Sequence, residues 1–136
     1  MNKTAVLLTC FNRKKHTLTC LNQLFFLSQE IDVYVVDDNS SDGTSAAILE
    51  QFPDVHLIKG NGNLFWNRGM HLAWKHASKH KYDFYLWLND DVVLYKNCFD
   101  EMFALFLSIL GMNKHSPLSC LPLHFSSYLR VLCAFY

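Results

Sequence analysis

The sequence predicts a Rossmann-like α/β fold, a mostly parallel sheet with flanking helices. Three observations support this fold class. Short apolar runs without alternation are typical of strands buried on both faces of a parallel sheet. Segments with apolar residues at helical spacing separate these runs, and polar loops with glycine or proline stand between them. Strands that alternate with helices favour parallel pairing with right-handed crossovers.

Four strands and three helices follow from these patterns. The strands are predicted over residues 5–9, 32–36, 55–58 and 83–88. The helices are predicted around residues 18–25, 45–52 and 66–77. Ser41 or Asp42 is expected to cap the start of the second helix, and Pro53 ends it. The loop that begins at Gly60 cannot continue the third strand.

The composition excludes several classes of protein. The 136 residues suffice for one domain with an ordinary core, and 51% hydrophobic against 18% charged residues indicates a globular chain. Twelve basic and twelve acidic residues give a formal net charge of zero, so nucleic acid is not an expected partner. Five cysteines without a CxxC pair predict free thiols. Together with the lack of a signal-peptide pattern, they indicate a cytoplasmic protein.

The composition changes near residue 101. All twelve acidic residues lie at or before Glu101, whereas residues 102–136 carry only Lys114 and Arg130 as full charges. We therefore predict an α/β domain over residues 1–101 and an apolar, acid-free tail over residues 102–136. The apolar runs of the tail are too short or too interrupted to cross a membrane. We expect a helix packed on the sheet and then a poorly specified segment, with peripheral membrane association as the alternative.

Two acidic clusters follow predicted strands. Asp37 and Asp38 follow the second strand, and the segment 89–91 (NDD) follows the fourth. Ligands of open α/β sheets bind beyond the carboxyl ends of the strands, so both clusters are expected to face one pocket. Mg2+ takes one or two carboxylates and completes its shell with water and phosphate oxygens. The clusters therefore predict a nucleoside-diphosphate site, with turn and helix-cap roles as the alternative for Asp37 to Ser40.

Four segments resemble the motifs of a known family. They are residues 9–13 (TCFNR), 36–44 (VDDNSSDGT), 60–67 (GNGNLFWN) and 88–92 (LNDDV). Together they resemble the nucleotide-sugar half of a family 2 glycosyltransferase with the GT-A fold, over roughly residues 4–101. The third segment is most similar to the rhamnosyltransferases of that family.

The resemblance implies roles for five residues. Thr9 would line the nucleoside pocket, and Asp38 would accept a hydrogen bond from the N–H of the base ring. Asp91 would hold Mg2+ or Mn2+ against the diphosphate, with Asp90 near the ribose or the metal. Arg68 would reach the same phosphates from the start of the third helix, the alternative being a solvated helix residue. Trp66 is expected to be a core or pocket-wall aromatic rather than a sugar platform.

The resemblance also implies a reaction. It is the metal-dependent, inverting transfer of a sugar from a UDP- or dTDP-type donor to a glycan or lipid-linked acceptor. The corresponding setting is cell-surface polysaccharide biosynthesis, in the cytoplasm or at the inner face of the membrane.

One part of the family pattern is missing. Family members are longer, and their second half supplies the acceptor site and a carboxylate that acts as general base. Here no acid follows Glu101, so no catalytic residue is assigned and the chain is expected to represent only the donor-binding half. A noncatalytic nucleotide-binding fragment is one alternative. A nucleotidyltransferase is another, but it requires a glycine-rich loop after the first strand, and residues 10–14 contain no glycine.

Overall fold

The computed structural model describes residues 3–28, 30–109 and 131–134, the last range as backbone only. The strands in these ranges are β1 (Thr4–Cys10), β2 (Ile31–Asp37), β3 (His56–Lys59), β4 (Phe84–Leu88) and β5 (Val131–Ala134). The helices are α1 (Lys14–Leu27), α2 (Thr44–Gln51), α3 (Phe65–Ala77) and α4 (Cys98–Ile109). Every boundary of the four predicted strands lies within one residue of its predicted position.

The strands form one sheet in the order β3-β2-β1-β4-β5, and all neighbouring strands are parallel. The predicted fold class is therefore confirmed. β1 lies at the centre and pairs with β2 from Thr4 opposite Ile31 to Cys10 opposite Asp37. Its pairing with β4 begins with Thr4 opposite Phe84. Because all strands run the same way, the segments that follow β1, β2 and β4 leave the sheet at the same edge.

Helices cover both faces of the sheet, and this explains why its strands are apolar without alternation. On one face Val6 of β1 packs in a cluster with Leu21 of α1. On the other face Leu7 packs in a second cluster with Met70 of α3. All four side chains are fully buried, and burial of one such side chain contributes about 1.5–3 kcal/mol.

Helix α4 runs through residue 101, where the composition changes. The rings of Phe103 and Phe106 lie 4.8 and 5.1 Å from the ring of Phe84 in β4, measured between centroids, so the helix packs against the sheet. Within the predicted tail, residues 110–130 and 135–136 lie outside the described residues. The sequence analysis did not predict β5. In the described part of the chain, no helix is both long and apolar enough to cross a membrane.

The predicted cap of α2 is wrong in its position. The N-cap residue is Gly43, at φ +81°, and not Ser41 or Asp42. Asp42 precedes the cap, and its carboxylate accepts hydrogen bonds from the backbone N–H of Thr44 at 3.1 Å and of Lys14, the first residue of α1, at 3.0 Å. A glycine suits the cap because it adopts a positive φ at no steric cost. Asp42 consequently ties the starts of two helices together.

Helix α3 approaches the end of β1 very closely at Gly69. A Cβ atom at residue 69 would lie 2.3 Å from Oγ1 and 3.0 Å from Cβ of Thr9, both closer than van der Waals contact allows. The missing side chain therefore lets the helix lie directly on the strand at Thr9. This contact fixes the distance between α3 and the carboxyl edge of the sheet.

We expect Gly69→Ala to lower the free energy of unfolding by about 1–3 kcal/mol, the usual cost of overpacking. The loss should appear although alanine is favoured over glycine in a helix by about 1 kcal/mol. Urea unfolding measures it. The double variant Thr9→Ala/Gly69→Ala removes Oγ1 and should recover part of the loss. A Gly69→Ala chain as stable as the original would show that the close contact is absent.

Candidate functional site

A cleft of about 310 Å3 opens at the carboxyl edge of the sheet. Its lining residues come from the segments that follow β1, β2 and β4 and from the loop that leads into α3. The residues that end or follow β1 and β2 are Thr9, Cys10, Phe11, Arg13 and Asp38. Those of the β3–α3 loop and the start of α3 are Gly62, Phe65 and Trp66. Those that follow β4 are Asn89, Asp90 and Asp91.

Four of the five residues expected to bind the ligand or metal line this cleft together: Thr9, Asp38, Asp90 and Asp91. Arg68 does not line it. Its side chain is exposed on α3, and the guanidinium carbon lies 5.8 Å from the ring centroid of Phe65. The arginine in the cleft is Arg13, which the sequence analysis did not single out. The signal that could have found it is its position in the motif segment 9–13, directly after the first strand.

Asp37 is a turn residue. It is 1% exposed, and its Oδ1 accepts the backbone N–H of Ser40 at 2.9 Å. Its Oδ2 accepts the hydroxyl of Ser45, in the first turn of α2. The side chain does not line the cleft. The alternative of a turn role therefore applies to Asp37. Its hydrogen bonds fix the loop in a conformation in which the next residue, Asp38, lies at the cleft.

Asp38 anchors the loop between β3 and α3. The side chain is 5% exposed, and its Oδ1 accepts the backbone N–H of Gly62 at 2.7 Å. Its Oδ2 accepts the N–H of Leu64 at 2.8 Å and of Phe65 at 3.2 Å. A Cβ atom at Gly60 would lie 2.5 Å from Oδ1, which explains the glycine there. A carboxylate offers about four acceptor positions, so three bonds leave one for a ligand.

Asp90 and Asp91 share one cationic partner. Nη2 of Arg13 donates to Oδ2 of Asp91 at 2.7 Å, and Nη1 lies 3.6 Å from Oδ1 of Asp90. The hydroxyl of Thr17 donates to Oδ2 of Asp90 at 3.0 Å. Asp90 is only 4% exposed. Its burial raises the pKa of its carboxyl, while Arg13 and Thr17 act in the opposite direction. The hydrogen bond to Asp91 raises the pKa of Arg13.

The side chains at the end of β4 fit a hard divalent cation. Two consecutive carboxylates, Asp90 and Asp91, lie at the cleft, and this is the number that Mg2+ takes from a protein when phosphate oxygens and water complete its shell. In residues 3–28, 30–109 and 131–134, no group of three or more His, Cys, Asp or Glu side chains is placed to hold a metal. A cation here would therefore depend on oxygens of a bound ligand.

Aromatic side chains form the rest of the cleft wall. Phe11 is 53% exposed and Phe65 72% exposed, although both are apolar. Trp66 is held in place because its Nε1 donates to Oδ1 of Asn89 at 2.8 Å and its ring lies edge-on to that of Trp87. Trp66 is a pocket-wall residue, as predicted. Phe11 was missed, although it follows the first strand directly.

The cysteine near the cleft is a structural residue. Cys10 and Cys20 are buried, and burial raises the pKa of each thiol to about 12. Both thiols are consequently protonated at neutral pH and are poor nucleophiles. Cys10, Cys20 and Cys98 are free thiols, in agreement with the prediction for these three.

Solved structures share the fold of this chain. TarS 1–349 of S. aureus has a TM-score of 0.63 and 23% identity over 80% of this chain and 33% of that chain. The mannosyltransferase PcManGT from Pyrobaculum calidifontis, in complex with GDP-Man and Mn2+, has a TM-score of 0.61 and 19% identity over 71% and 30%. Glucosyl-3-phosphoglycerate synthase from Mycobacterium tuberculosis, in complex with Mn2+, UDP and glucosyl-3-phosphoglycerate, has a TM-score of 0.56 and 14% identity over 78% and 39%.

The chain spans about a third of the length of these three structures. Among curated proteins no significant sequence match is found. The family model of glycosyl transferase family 2 matches residues 5–108, which include the whole cleft. Because this match covers well over half of the sequence, the chain belongs to glycosyl transferase family 2.

Proposed function

We propose that this chain binds the donor in a metal-dependent glycosyltransferase, which transfers a sugar from a nucleoside diphosphate to a glycan or lipid-linked acceptor. The observation that carries the proposal is the cleft itself. A buried carboxylate with one open acceptor position, Asp38, and a pair of carboxylates, Asp90 and Asp91, line the same 310 Å3 space. Asp38 suits a nucleobase, and the pair Asp90 and Asp91 suits a metal-bound diphosphate.

Asp38 is assigned to the base of the nucleotide. Uracil and thymine present one N–H between two carbonyls, and a carboxylate makes a stronger, charge-assisted bond with such a donor. Phe11 offers an exposed ring in the same cleft, and nucleobases stack on aromatic rings with about 1–3 kcal/mol per base. Thr9 completes this side of the cleft. The structures of TarS 1–349 with UDP-GlcNAc and of PcManGT with GDP-Man support a nucleoside-diphosphate sugar as the donor, and within that class we propose a pyrimidine nucleotide, UDP or dTDP.

Asp91 is assigned to Mg2+ or Mn2+, with Asp90 beside it. A metal ion at this position supplies charge compensation for the nucleoside diphosphate that leaves during transfer. Two of the solved structures with this fold are complexes with Mn2+, which supports the assignment. Arg68 has no part in the proposed site, since it stacks on Phe65 and does not line the cleft.

No residue of the cleft is assigned as the general base. Inverting transfer needs a base within hydrogen-bond reach of the acceptor hydroxyl. Asp38 is engaged with the β3–α3 loop, and Asp90 and Asp91 are engaged with Arg13. We therefore propose that the described residues bind the donor and do not activate the acceptor. A noncatalytic nucleotide-binding role is the second candidate, since every carboxylate that lines the cleft is engaged in these contacts.

The finer features of the proposal follow from the sequence motifs. The resemblance of the 60–67 loop to rhamnosyltransferases is the basis for proposing rhamnose as the transferred sugar and cell-surface polysaccharide as the product. The free thiols of Cys10, Cys20 and Cys98 fit a cytoplasmic protein, at the inner face of the membrane where a lipid-linked acceptor would lie.

We expect Asp91→Ala to remove the metal-dependent part of UDP binding, with a loss in affinity of more than about 100-fold, since loss of an outer partner of a metal ligand already costs 10- to 100-fold. Isothermal titration calorimetry with UDP and Mn2+, and with UDP in EDTA, measures the effect. Asp54→Ala is the control, because Asp54 is an exposed carboxylate in the turn before β3. Unchanged Mn2+ dependence in Asp91→Ala would refute the metal assignment.

We expect Asp38→Asn to weaken UDP binding by about 1–3 kcal/mol even without metal, because a charged acceptor becomes a neutral amide. The same change also weakens the anchor of the β3–α3 loop, so affinity alone does not identify the cause. UDP methylated at N3 of uracil separates the two roles. The original chain should discriminate strongly against the methylated ligand, and Asp38→Asn should discriminate clearly less, because its neutral amide accepts the N3–H more weakly.

Asp42→Asn is the control for this comparison, because Asp42 lies in the same loop, is exposed and does not line the cleft. It should retain the discrimination of the original chain. Equal discrimination by Asp38→Asn and the original chain would show that Asp38 holds the loop and does not contact the base.

We expect the 136-residue chain to bind donor without transferring sugar to an acceptor. A positioned general base contributes about 10^2- to 10^4-fold to such a reaction, and no acidic residue follows Glu101. The measurement is product formation from radiolabelled nucleotide sugar with a glycan or lipid-linked acceptor, with release of free sugar recorded separately. Multiple-turnover transfer by the purified chain would contradict this part of the proposal.

A further inference from the structure

Arg13 lies where the divalent cation of the proposed function would have to bind. We propose that Arg13 is an internal counterion, which neutralises Asp90 and Asp91 in the free protein, is displaced when the cation binds, and then pairs with the diphosphate of the donor. This inference rests on the proposed function and adds a positioning residue that couples the metal to the nucleotide.

The charges of the acid pair explain why a counterion is needed. Asp90 is 4% exposed, and a buried carboxylate is stable only when it is paired and hydrogen-bonded. In the free protein Thr17 supplies one hydrogen bond, and Arg13 supplies the positive charge for both acids through contacts of 3.6 Å to Asp90 and 2.7 Å to Asp91. The described residues hold no other ion pair to either acid.

A divalent cation and the guanidinium compete for the same two carboxylates. Mg2+ binds carboxylate oxygens at about 2.0–2.1 Å, and Oδ2 of Asp91 is the oxygen that accepts from Nη2 of Arg13. Two cations at one oxygen repel each other strongly at such distances. The repulsion between a bound metal ion and the guanidinium therefore favours departure of the Arg13 side chain from Asp91.

Arg13 can leave without disturbing the fold around it. Its backbone is the N-cap of α1, and its carbonyl accepts the N–H of Thr17 at 3.0 Å. Its side chain, in contrast, is 42% exposed and lines the cleft. The backbone thus stays fixed by the helix while the guanidinium moves.

A diphosphate gives the released guanidinium a new partner. The planar fork of an arginine matches two phosphate oxygens and forms charge-assisted bonds with them. A nucleoside diphosphate therefore lowers the free-energy cost of freeing Asp91, and metal and nucleotide should each strengthen the binding of the other. This coupling is reciprocal by thermodynamic linkage. The phosphate oxygens that the metal shares with the nucleotide couple the two ligands in any case, so the role of Arg13 appears as the part of the coupling that is lost when Arg13 is replaced.

The test measures Mn2+ binding to the full 136-residue chain, by electron paramagnetic resonance of free Mn2+, with and without UDP. Arg13→Gln removes the counterion and should tighten Mn2+ binding in the absence of UDP by about 10- to 150-fold, the range that corresponds to loss of one charge-assisted contact. The same variant should gain less from UDP than the original chain gains. Arg13→Lys keeps the charge without the planar fork. Its Mn2+ affinity and its gain from UDP should both lie between those of the original chain and those of Arg13→Gln.

Lys15→Gln is the matched control. Lys15 is exposed on α1, two residues from Arg13, and forms no ion pair within the described residues, so the variant has the same change in net charge without loss of the contact. Its Mn2+ affinity should stay within about twofold of the original. Far-UV circular dichroism confirms that each variant is folded.

Two outcomes would overturn the inference. One leaves the proposed function intact, and the other contradicts it as well. If Mn2+ and UDP bind and Asp91→Ala abolishes this binding, but Arg13→Gln binds Mn2+ no more tightly than Lys15→Gln, then only the role of Arg13 is wrong. If neither the original chain nor Arg13→Gln binds Mn2+ or UDP, then the proposed function fails together with it.

Discussion

The parallel pairing of β1 with β2 on one side and β4 on the other decides where every residue of the cleft lies. Cys10 ends β1 opposite Asp37 of β2, and β4 leaves the sheet at the same edge. Residues far apart in sequence, such as Arg13 and Asp91, meet because of this pairing. The close contact of Gly69 with Thr9 then seats α3 beside the same edge. In an open α/β sheet this edge is where ligands bind.

Each buried carboxylate at this edge has its own compensation. Asp38 receives three backbone N–H groups from one loop, whereas Asp90 receives a hydroxyl and part of a guanidinium. The donors are backbone groups at Asp38 and side-chain groups at Asp90. Backbone donors are fixed by the fold, so Asp38 is a rigid part of the cleft wall. The Arg13 side chain is 42% exposed and reaches the acids through rotatable bonds, and this is the basis of our proposal that another cation replaces it at Asp90 and Asp91.

The sequence was sufficient for the sheet but not for the contacts within the cleft. Apolar runs without alternation predicted β1 to β4 because a strand covered on both faces needs apolar residues at every position. β5 was missed because the leucines and phenylalanines of the tail follow neither a strand nor a helix period, so no strand was predicted over residues 131–134. The cap of α2 was predicted at Ser41 or Asp42 from local propensity, which does not include the bond that the carboxylate of Asp42 accepts from the N–H of Lys14 in another element.

Local patterns also could not show which arginine lies in the cleft, because that depends on contacts between elements. Position relative to a helix start favoured Arg68, but Arg68 lies on Phe65, and Arg13 meets an acid 78 residues away. A contact of that range depends on strand order, which local patterns do not contain. For Asp38 the sequence predicted the location of the side chain but not its hydrogen bonds. Its place in the motif was sufficient to put it at the cleft, whereas its bonds to Gly62 and Leu64 followed only from the fold.

The most direct test of the central claim is a titration of the 15N-labelled chain with UDP and Mg2+, followed by replacement of Mg2+ with Mn2+ and measurement of paramagnetic line broadening. The account predicts that UDP shifts the amide signals of Thr9, Phe11 and Gly62, and that Mn2+ broadens those of Asp90 and Asp91 most strongly. Shifts confined to the opposite edge of the sheet, near His56 and His80, or broadening centred away from β4, would contradict it.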